Sequence, residues 1–494
     1  METIISVKPL LAILYSLLAV PLIILCRRVP NIRESWTFVA AFSKLAVILA
    51  MLPGVLSGTV YSFTIAQVLP GVPIALRVDA LGMLFALVAS SLWIVTSLYS
   101  IGYMRAENEH SQTRYFSFFA LALSATIGVA FSANLLTLYL FYEMLSFATY
   151  PLVTHHQDQE SRISGRKYLA FIVGTSIGLV LPAMLIIYNM TGTLDFGPEG
   201  ILAAGEHSAT VIALLLFMFV FGFAKVGIMP FHAWLPAAMV APTPVSALLH
   251  AVAVVKVGAF SVVRVITGIF GVGMLSSLNL GLVIGAVASV TILLASLIAL
   301  TQDNLKRRLA FSTIGQLSYI VLGVALLSPR GMTGGMVHIA MHAFGKITLF
   351  MCAGAIFVAA GKKYVSQLDG IGRRMPVTML AFFIGSLSVI GLPPCGGFIS
   401  KWYLLLGSLE SGHTAFVLVL LGSSFLNTVY FMPIVYRAFF KAPQGEDAAT
   451  GFAEAPVLCT APLVLTAASS VVLLFYPQPF LRLAEMAVAG LIGG

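Results

Sequence analysis

Fourteen runs of mostly apolar residues, each close to or above the roughly 20 a helix needs to cross a bilayer, occupy this chain from residue 8 to residue 477. They fall at 8–26, 36–60, 79–104, 114–132, 134–154, 164–190, 208–240, 242–268, 276–301, 308–328, 332–360, 376–409, 414–440 and 456–477. The stretches between them are too short for a soluble domain, so residues 1–494 read as a single membrane unit. Only 9% of residues are charged, against about 25% in soluble proteins. That excludes a soluble enzyme, a nucleic-acid binder and a disordered chain. Cys26, Cys352, Cys395 and Cys459 are scattered without a C-x-x-C, so the cysteines indicate no iron–sulfur site, zinc site or disulfide framework. No cofactor motif and no metal ligand set is expected. The N-terminal run lacks an A-x-A-like cleavage site and reads as a retained first helix.

The basic residues orient the spans. Of the 27 Lys and Arg, 17 fall in odd-numbered connections and five (Lys8, Arg77, Arg264, Arg330, Arg482) in even-numbered connections or termini. Excess Lys and Arg mark cytoplasmic loops. The expectation is a multi-pass protein of a prokaryotic plasma membrane, with odd connections inside and both termini outside. Five lysines remain within apolar runs: Lys44, Lys225, Lys256, Lys346 and Lys401. Among the acids, only Glu143 is deep in a span.

A charge at the bilayer centre costs at least ~2.5–3.5 kcal/mol, so such groups face the bundle interior and pair or titrate. Glu143 lies mid-span in Asn134–Tyr150, and a carboxylate stem is too short to reach an interface from there. The competing reading is a permanent ion pair. Lys225 precedes Pro230 in Phe221–Pro236, where proline breaks the helix; irregular backbone at this depth is tolerated only when buried in protein or lining water. Lys225 is therefore a candidate proton carrier, against the alternative of a lysine extended to an interface. Lys401 follows a second proline–glycine interruption at 391–397, five spans after the one at 227–236. Broken helices in corresponding places are the mark of an inverted repeat, and a five-helix repeat, having an odd number of crossings, must be inverted. The second copy has no counterpart to Glu143.

Lys256 lies one span after Lys225, either as an ionisable group or as a buried partner of a carbonyl. His338, His342 and Lys346 recur at i, i+4 and i+8 and form one polar stripe; histidine titrates near neutrality and relays protons. Of the three, His338 is the stronger candidate. Lys44, near a basic edge, reads as extended to the interface. Arg77 and Asp79 mark the outer interface, Asp79 as a helix N-cap. His155 and His156 read as solvated loop residues. Together Glu143, Lys225, Lys256, His338 and Lys401, with His250, His342 and Lys346 as secondary candidates, suggest a lateral file of titratable groups joined by water. A Glu143–Lys225 pair would hold Lys225 charged, and loosening it would release the proton along the file.

These residues carry a resemblance. The stretch Pro230-Phe-His232-Ala-Trp234-Leu-Pro236, continuing through Ala241-Pro242-Thr243-Pro244 to His250, resembles the signature of the antiporter-like subunits of respiratory complex I, Mrp-type cation/proton antiporters and membrane-bound hydrogenases. Tyr142-Glu143 with Ser146, Ser312–Tyr319, His342-Ala-Phe-Gly-Lys346 and Gly391-Leu-Pro-Pro are similar to the same family. The resemblance implies an all-α polytopic membrane protein of about 14 transmembrane helices, in two inverted five-helix repeats: helices 4–8 at 114–268 and helices 9–13 at 276–440, with helices 7 and 12 broken. Helices 1–3 (1–113) and helix 14 (456–477) flank them. Key positions then fall on Glu143, Lys225, Lys256, His338 and Lys401; the M subunit of complex I usually has Glu where Lys401 stands. Length, and the lack of a C-terminal lateral helix, make the Mrp D subunit most similar. The implied function is proton translocation within a multisubunit Na⁺/H⁺ antiporter, the alternative being the proton-pumping module of a redox complex. Partners are then other membrane subunits, with H⁺ and Na⁺ as ions and any Na⁺ site elsewhere in the complex.

Overall fold

The structure is a computed structural model describing residues 2–205, 207–443 and 451–492, with the side chains at 69, 204, 249, 250 and 492 outside that description. Helical segments follow all fourteen apolar runs. Among the described residues, ten helices are long and apolar enough to cross a membrane singly, including Lys8–Leu25, Ala80–Ala106, Leu305–Ala325 and Pro329–Ala360. The fifth span is Leu135–Val153. The seventh is broken: Ala209–Gly222 ends, a short turn occupies Ala224–Val226, and helix resumes at Trp234–Ala237. The eighth runs from Thr243 to Phe270 with π-helical turns at Leu248–Val252 and Ile266–Phe270. The twelfth is split into Pro376–Ile390 and Gly397–Glu410. Both breaks lie where the proline–glycine runs place them.

Side-chain caps set several span starts. Asp79, Asn134, Asp158, Asn304 and Ser328 each accept a hydrogen bond from the amide three residues on, satisfying one of the donors a helix start leaves free. The second helix begins at Pro30, earlier than its apolar run, because Arg33 and Glu34 pair with each other at 2.7 Å and Glu34 also pairs with Arg105. Paired charges need not end a helix.

The connections sort by parity. A cavity at one end is lined by Glu107, His156, Ala241, Lys306 and Lys363, all at odd-numbered connections. A second is lined by Thr3, Gly58, Arg77, Gly197 and Met486, all at even-numbered connections or toward the termini. This is the alternation that fourteen crossings require.

Two elements go beyond the sequence reading. Residues Thr3–Ile5 (β1), Val60–Leu69 (β2) and Val72–Val78 (β3) form a small sheet, β1 parallel and β3 antiparallel to β2. A C-terminal helix, Gln478–Ile492, follows the last span. At the same end Arg264, near the close of the eighth span, grips Asp79 through both guanidinium nitrogens at 2.6 and 2.5 Å. Burial alone would raise the Asp79 carboxyl, but this guanidinium holds it down at about 2. Arg264 is thus a buried partner, not a loop cation as its place in the sequence suggests.

Candidate functional site

Lys225 sits at the break of the seventh span, fully buried. Its Nζ donates to the Tyr142 carbonyl at 2.5 Å and to Ser146 Oγ at 2.8 Å, and lies 3.2 Å from the Tyr142 ring centre. The Trp234 indole donates to the Ala224 carbonyl at 2.9 Å, which also accepts from the Gly227 amide at 2.9 Å, so the turn is pinned from two sides. Gly258 of the eighth span packs directly against this turn: a Cβ there would stand 2.2 Å from Val226 N. Glycine is required for the approach.

Glu143 is placed differently from the expectation of a deep interior group. It is half-buried, on the helix stripe that carries the exposed Leu140 and Phe147. Its carboxylate oxygens are shielded and have no hydrogen-bond partner among the described residues. Lys225 is turned onto Tyr142 and Ser146, so the direct Glu143–Lys225 ion pair is absent among the described residues.

The second cluster is continuous. Lys256 Nζ lies 2.7 Å from His342 Nδ1. The His342 and His338 ring centres are 5.7 Å apart, and His338 Nδ1 lies 2.8 Å from Ser400 Oγ. Ser400 precedes Lys401, whose Nζ donates to the Ile390 carbonyl at 2.8 Å and Ser424 Oγ at 3.1 Å and lies 4.7 Å from the Tyr319 ring centre. The Tyr319 ring in turn packs against His338 at 5.6 Å. All four ionisable groups are buried. The structure thus makes His342, a secondary candidate, the direct link between Lys256 and His338.

Lys346 stands beside this line. It donates to Ser312 Oγ at 2.7 Å, and the Tyr430 hydroxyl donates to the same oxygen at 2.9 Å. The stripe is real, but its last member joins a separate hydroxyl network. His250 lies outside the described residues. Two loop-or-interface readings need correction. Lys44 is fully buried, donating to the Leu123 carbonyl at 3.2 Å with its Nζ 4.3 Å from the Trp93 ring centre; the ring and carbonyl satisfy the charge, so it is not extended to an interface. His155 is also fully buried, within 3.6 Å of Glu109, and so is not solvated.

Sequence reasoning gave no separate weight to Tyr142, Ser312, Tyr319, Ser400, Ser424 and Tyr430, which contact the lysines and histidines. The available signal was hydroxyl residues clustering within apolar runs, three or four positions from one another.

A many-span helical bundle that shelters a file of lysines and histidines defines a polytopic membrane protein with an ionisable interior. The chain belongs to the family described as NADH:quinone oxidoreductase/Mrp antiporter, transmembrane, whose pattern matches residues 132–427; residues 70–116 match the N-terminal part of NADH-ubiquinone oxidoreductase (complex I) chain 5. It is 36% identical over 372 residues to NADH-quinone oxidoreductase subunit N of Desulforudis audaxviator, covering 74% of this chain and 73% of that one. It is 31% identical to Na⁺/H⁺ antiporter subunit A1 of Staphylococcus haemolyticus, over 85% of this chain and 55% of that larger protein. Its fold matches a chain in the structure of the Mrp complex from a Dietzia species with a TM-score of 0.87 at 23% identity, over 98% of this chain and 97% of that one. It is an antiporter-like membrane subunit.

Proposed function

We propose that this chain is the proton-translocating subunit of a multisubunit monovalent cation/proton antiporter of the Mrp type, most similar to the D subunit. Protons pass from Glu143 and Lys225 to Lys256, then through His342 and His338 to Lys401. The observation that carries this reading is the buried run of side chains from Lys256 through His342 and His338 to Ser400, with the Tyr319 ring packed between His338 and Lys401. Keeping so many ionisable groups out of water is expensive, which argues against a passive scaffold. The Nε2 atoms of His338 and His342 have no hydrogen-bond partner among the described residues; buried polar atoms are as a rule hydrogen-bonded, and bridging water suits them. Between Lys225 and Lys256, which share no hydrogen bond among the described residues, water makes the same bridge.

The two breaks, five spans apart, mark two inverted five-helix repeats, 114–268 and 276–440. The even connections and both termini face outward, by the excess of basic residues in the odd ones. The half-buried Glu143 beside exposed Leu140 and Phe147 suits a neighbouring membrane subunit packed over that face, closing the entrance of the file. Any Na⁺ is handled by other subunits, since the interior offers few oxygen ligands besides Glu143.

The test is proton uptake into vesicles carrying the assembled complex: Lys225→Ala and Glu143→Ala are each expected to lower it, by about 10-fold or more, and wild-type rates in both overturn the reading. The similarity to a quinone oxidoreductase subunit N supports a second reading, a proton-pumping module of a redox complex. Copurifying partners discriminate: small antiporter subunits for the first, iron–sulfur or hydrogenase-like subunits for the second.

A further inference from the structure

At the end of the molecule formed by the odd connections, away from the buried file, four side chains converge. The connection between the third and fourth spans brings Glu109 and His110; the connection between the fifth and sixth brings His155 and His156. Three imidazole nitrogens surround one carboxylate oxygen, Glu109 Oε2: His110 Nδ1 at 3.7 Å, His155 Nε2 at 3.6 Å and His156 Nδ1 at 3.7 Å.

These separations are informative. They exceed the roughly 2.7–3.2 Å of a hydrogen bond to oxygen. They lie near the roughly 3.4 Å between ligands of a tetrahedral ion with bonds of about 2.1 Å. The donor atoms of Glu109, His110 and His156 all lie within 4.8 Å of one another. His155 is the independent observation: its ring is fully buried, neither nitrogen has a hydrogen-bond partner among the described residues, and Nε2 is turned toward Glu109. Arg114 fixes that turn by donating to the His155 carbonyl at 2.7 Å. Asn108, Ser111 and Gln157, flanking the four residues, hold left-handed φ angles of 49°, 52° and 59°, a conformation that costs energy in non-glycine residues and clusters at functional sites.

We propose that Glu109, His110, His155 and His156 form a binding site for a divalent transition-metal ion. Imidazole and carboxylate donors favour zinc, since imidazole suits zinc better than it suits calcium or magnesium; Glu109, His110 and His156 form the compact set, and a small inward shift of His155 completes a tetrahedral shell of four. His110 and His156 are partly exposed and give the ion a path from solution, beside a cavity of about 540 Å³ whose wall includes Glu107, His156 and Asp158. The bound ion ties the connection after the third span to the one after the fifth, the helix that carries Glu143. The cysteine count gives no hint of this site; the signal is the adjacent pair His155-His156 with Glu109-His110.

The test uses the full-length chain, purified in detergent, cleared with chelator and titrated with zinc chloride alone by calorimetry. One equivalent is expected to bind with micromolar affinity or better, and added zinc is expected to raise the melting temperature. His110→Ala with His156→Ala, both on partly exposed side chains, is expected to weaken binding by at least about 10-fold and remove the thermal shift. Should the double variant fail to fold, Glu109→Gln alone is expected to weaken binding in the same way. Cobalt in place of zinc is expected to give the visible absorption of a tetrahedral ion in the wild type. No binding by the wild-type chain, or undiminished binding in the folded variants, overturns the proposal. The readout is binding alone and does not depend on transport.

Discussion

The two broken helices solve one problem with nearly the same parts. At the first, Lys225 is held by a backbone carbonyl, a serine hydroxyl and a tyrosine ring, those of Tyr142 and Ser146. At the second, Lys401 is held by the Ile390 carbonyl, the Ser424 hydroxyl and the Tyr319 ring. They differ in what lies next to each set. The first carbonyl belongs to another helix and to the residue before Glu143; the second lies across the break in the lysine's own helix. The lesson is that one ammonium cradle fits two settings, one beside an acid at the rim and one beside a pair of buried histidines.

Removing the lysines should have the largest effect. If both cradles lie on one route, Lys225→Ala and Lys401→Ala each lower proton uptake in vesicles by about 100-fold or more, the scale of losing a proton-transfer group. A dead Lys225→Ala beside an active Lys401→Ala breaks the equivalence. Next come the two glycines that let the backbone close around each lysine. Gly258→Ala puts a Cβ 2.2 Å from backbone at Val226, and thermal unfolding should show a loss of about 1–3 kcal/mol. Gly391→Ala meets only the flexible Lys401 stem but has φ +88°, so a smaller loss of about 1 kcal/mol is expected. Glu143→Gln tests the asymmetry: uptake should fall about 10-fold, near 1.4 kcal/mol, while leaving the Lys401 end intact, as the Lys256–His342 contact read by histidine NMR should show. The serines give the smallest effect. Ser146→Ala and Ser424→Ala should each cost about 1 kcal/mol of stability, and matched values in the two variants would sharpen the parallel.

Much of this was legible in the residues. Fourteen apolar runs, two proline–glycine interruptions and lysines near both are visible because burial in lipid demands long apolar stretches and tolerates irregular backbone at few places. The Lys256–His342 contact was not, since spacing along one helix cannot say which helix faces it. Lys44 was misread because distance from a span edge says nothing of Trp93 and the Leu123 carbonyl waiting inside. Glu143 was placed too deep, because depth along a span leaves its rotation about the helix axis undetermined. The hairpin had a usable signal: β-branched and aromatic residues on both sides of Pro70-Gly71, with Gly71 at φ +73°. The closing helix had one too, in its amphipathic pattern from Gln478 to Ile492.

The Asp79–Arg264 clamp bears on how Lys256 can move. Arg264 stands eight residues along the same helix from Lys256, its two nitrogens seated on a carboxylate that also caps the third span. With Arg264 holding the Asp79 carboxyl down at about 2, the fastening stays charged on both sides near neutral pH. On the route proposed above, the hand-off to His342 is thereby left to the swing of a lysine tip on an anchored mast.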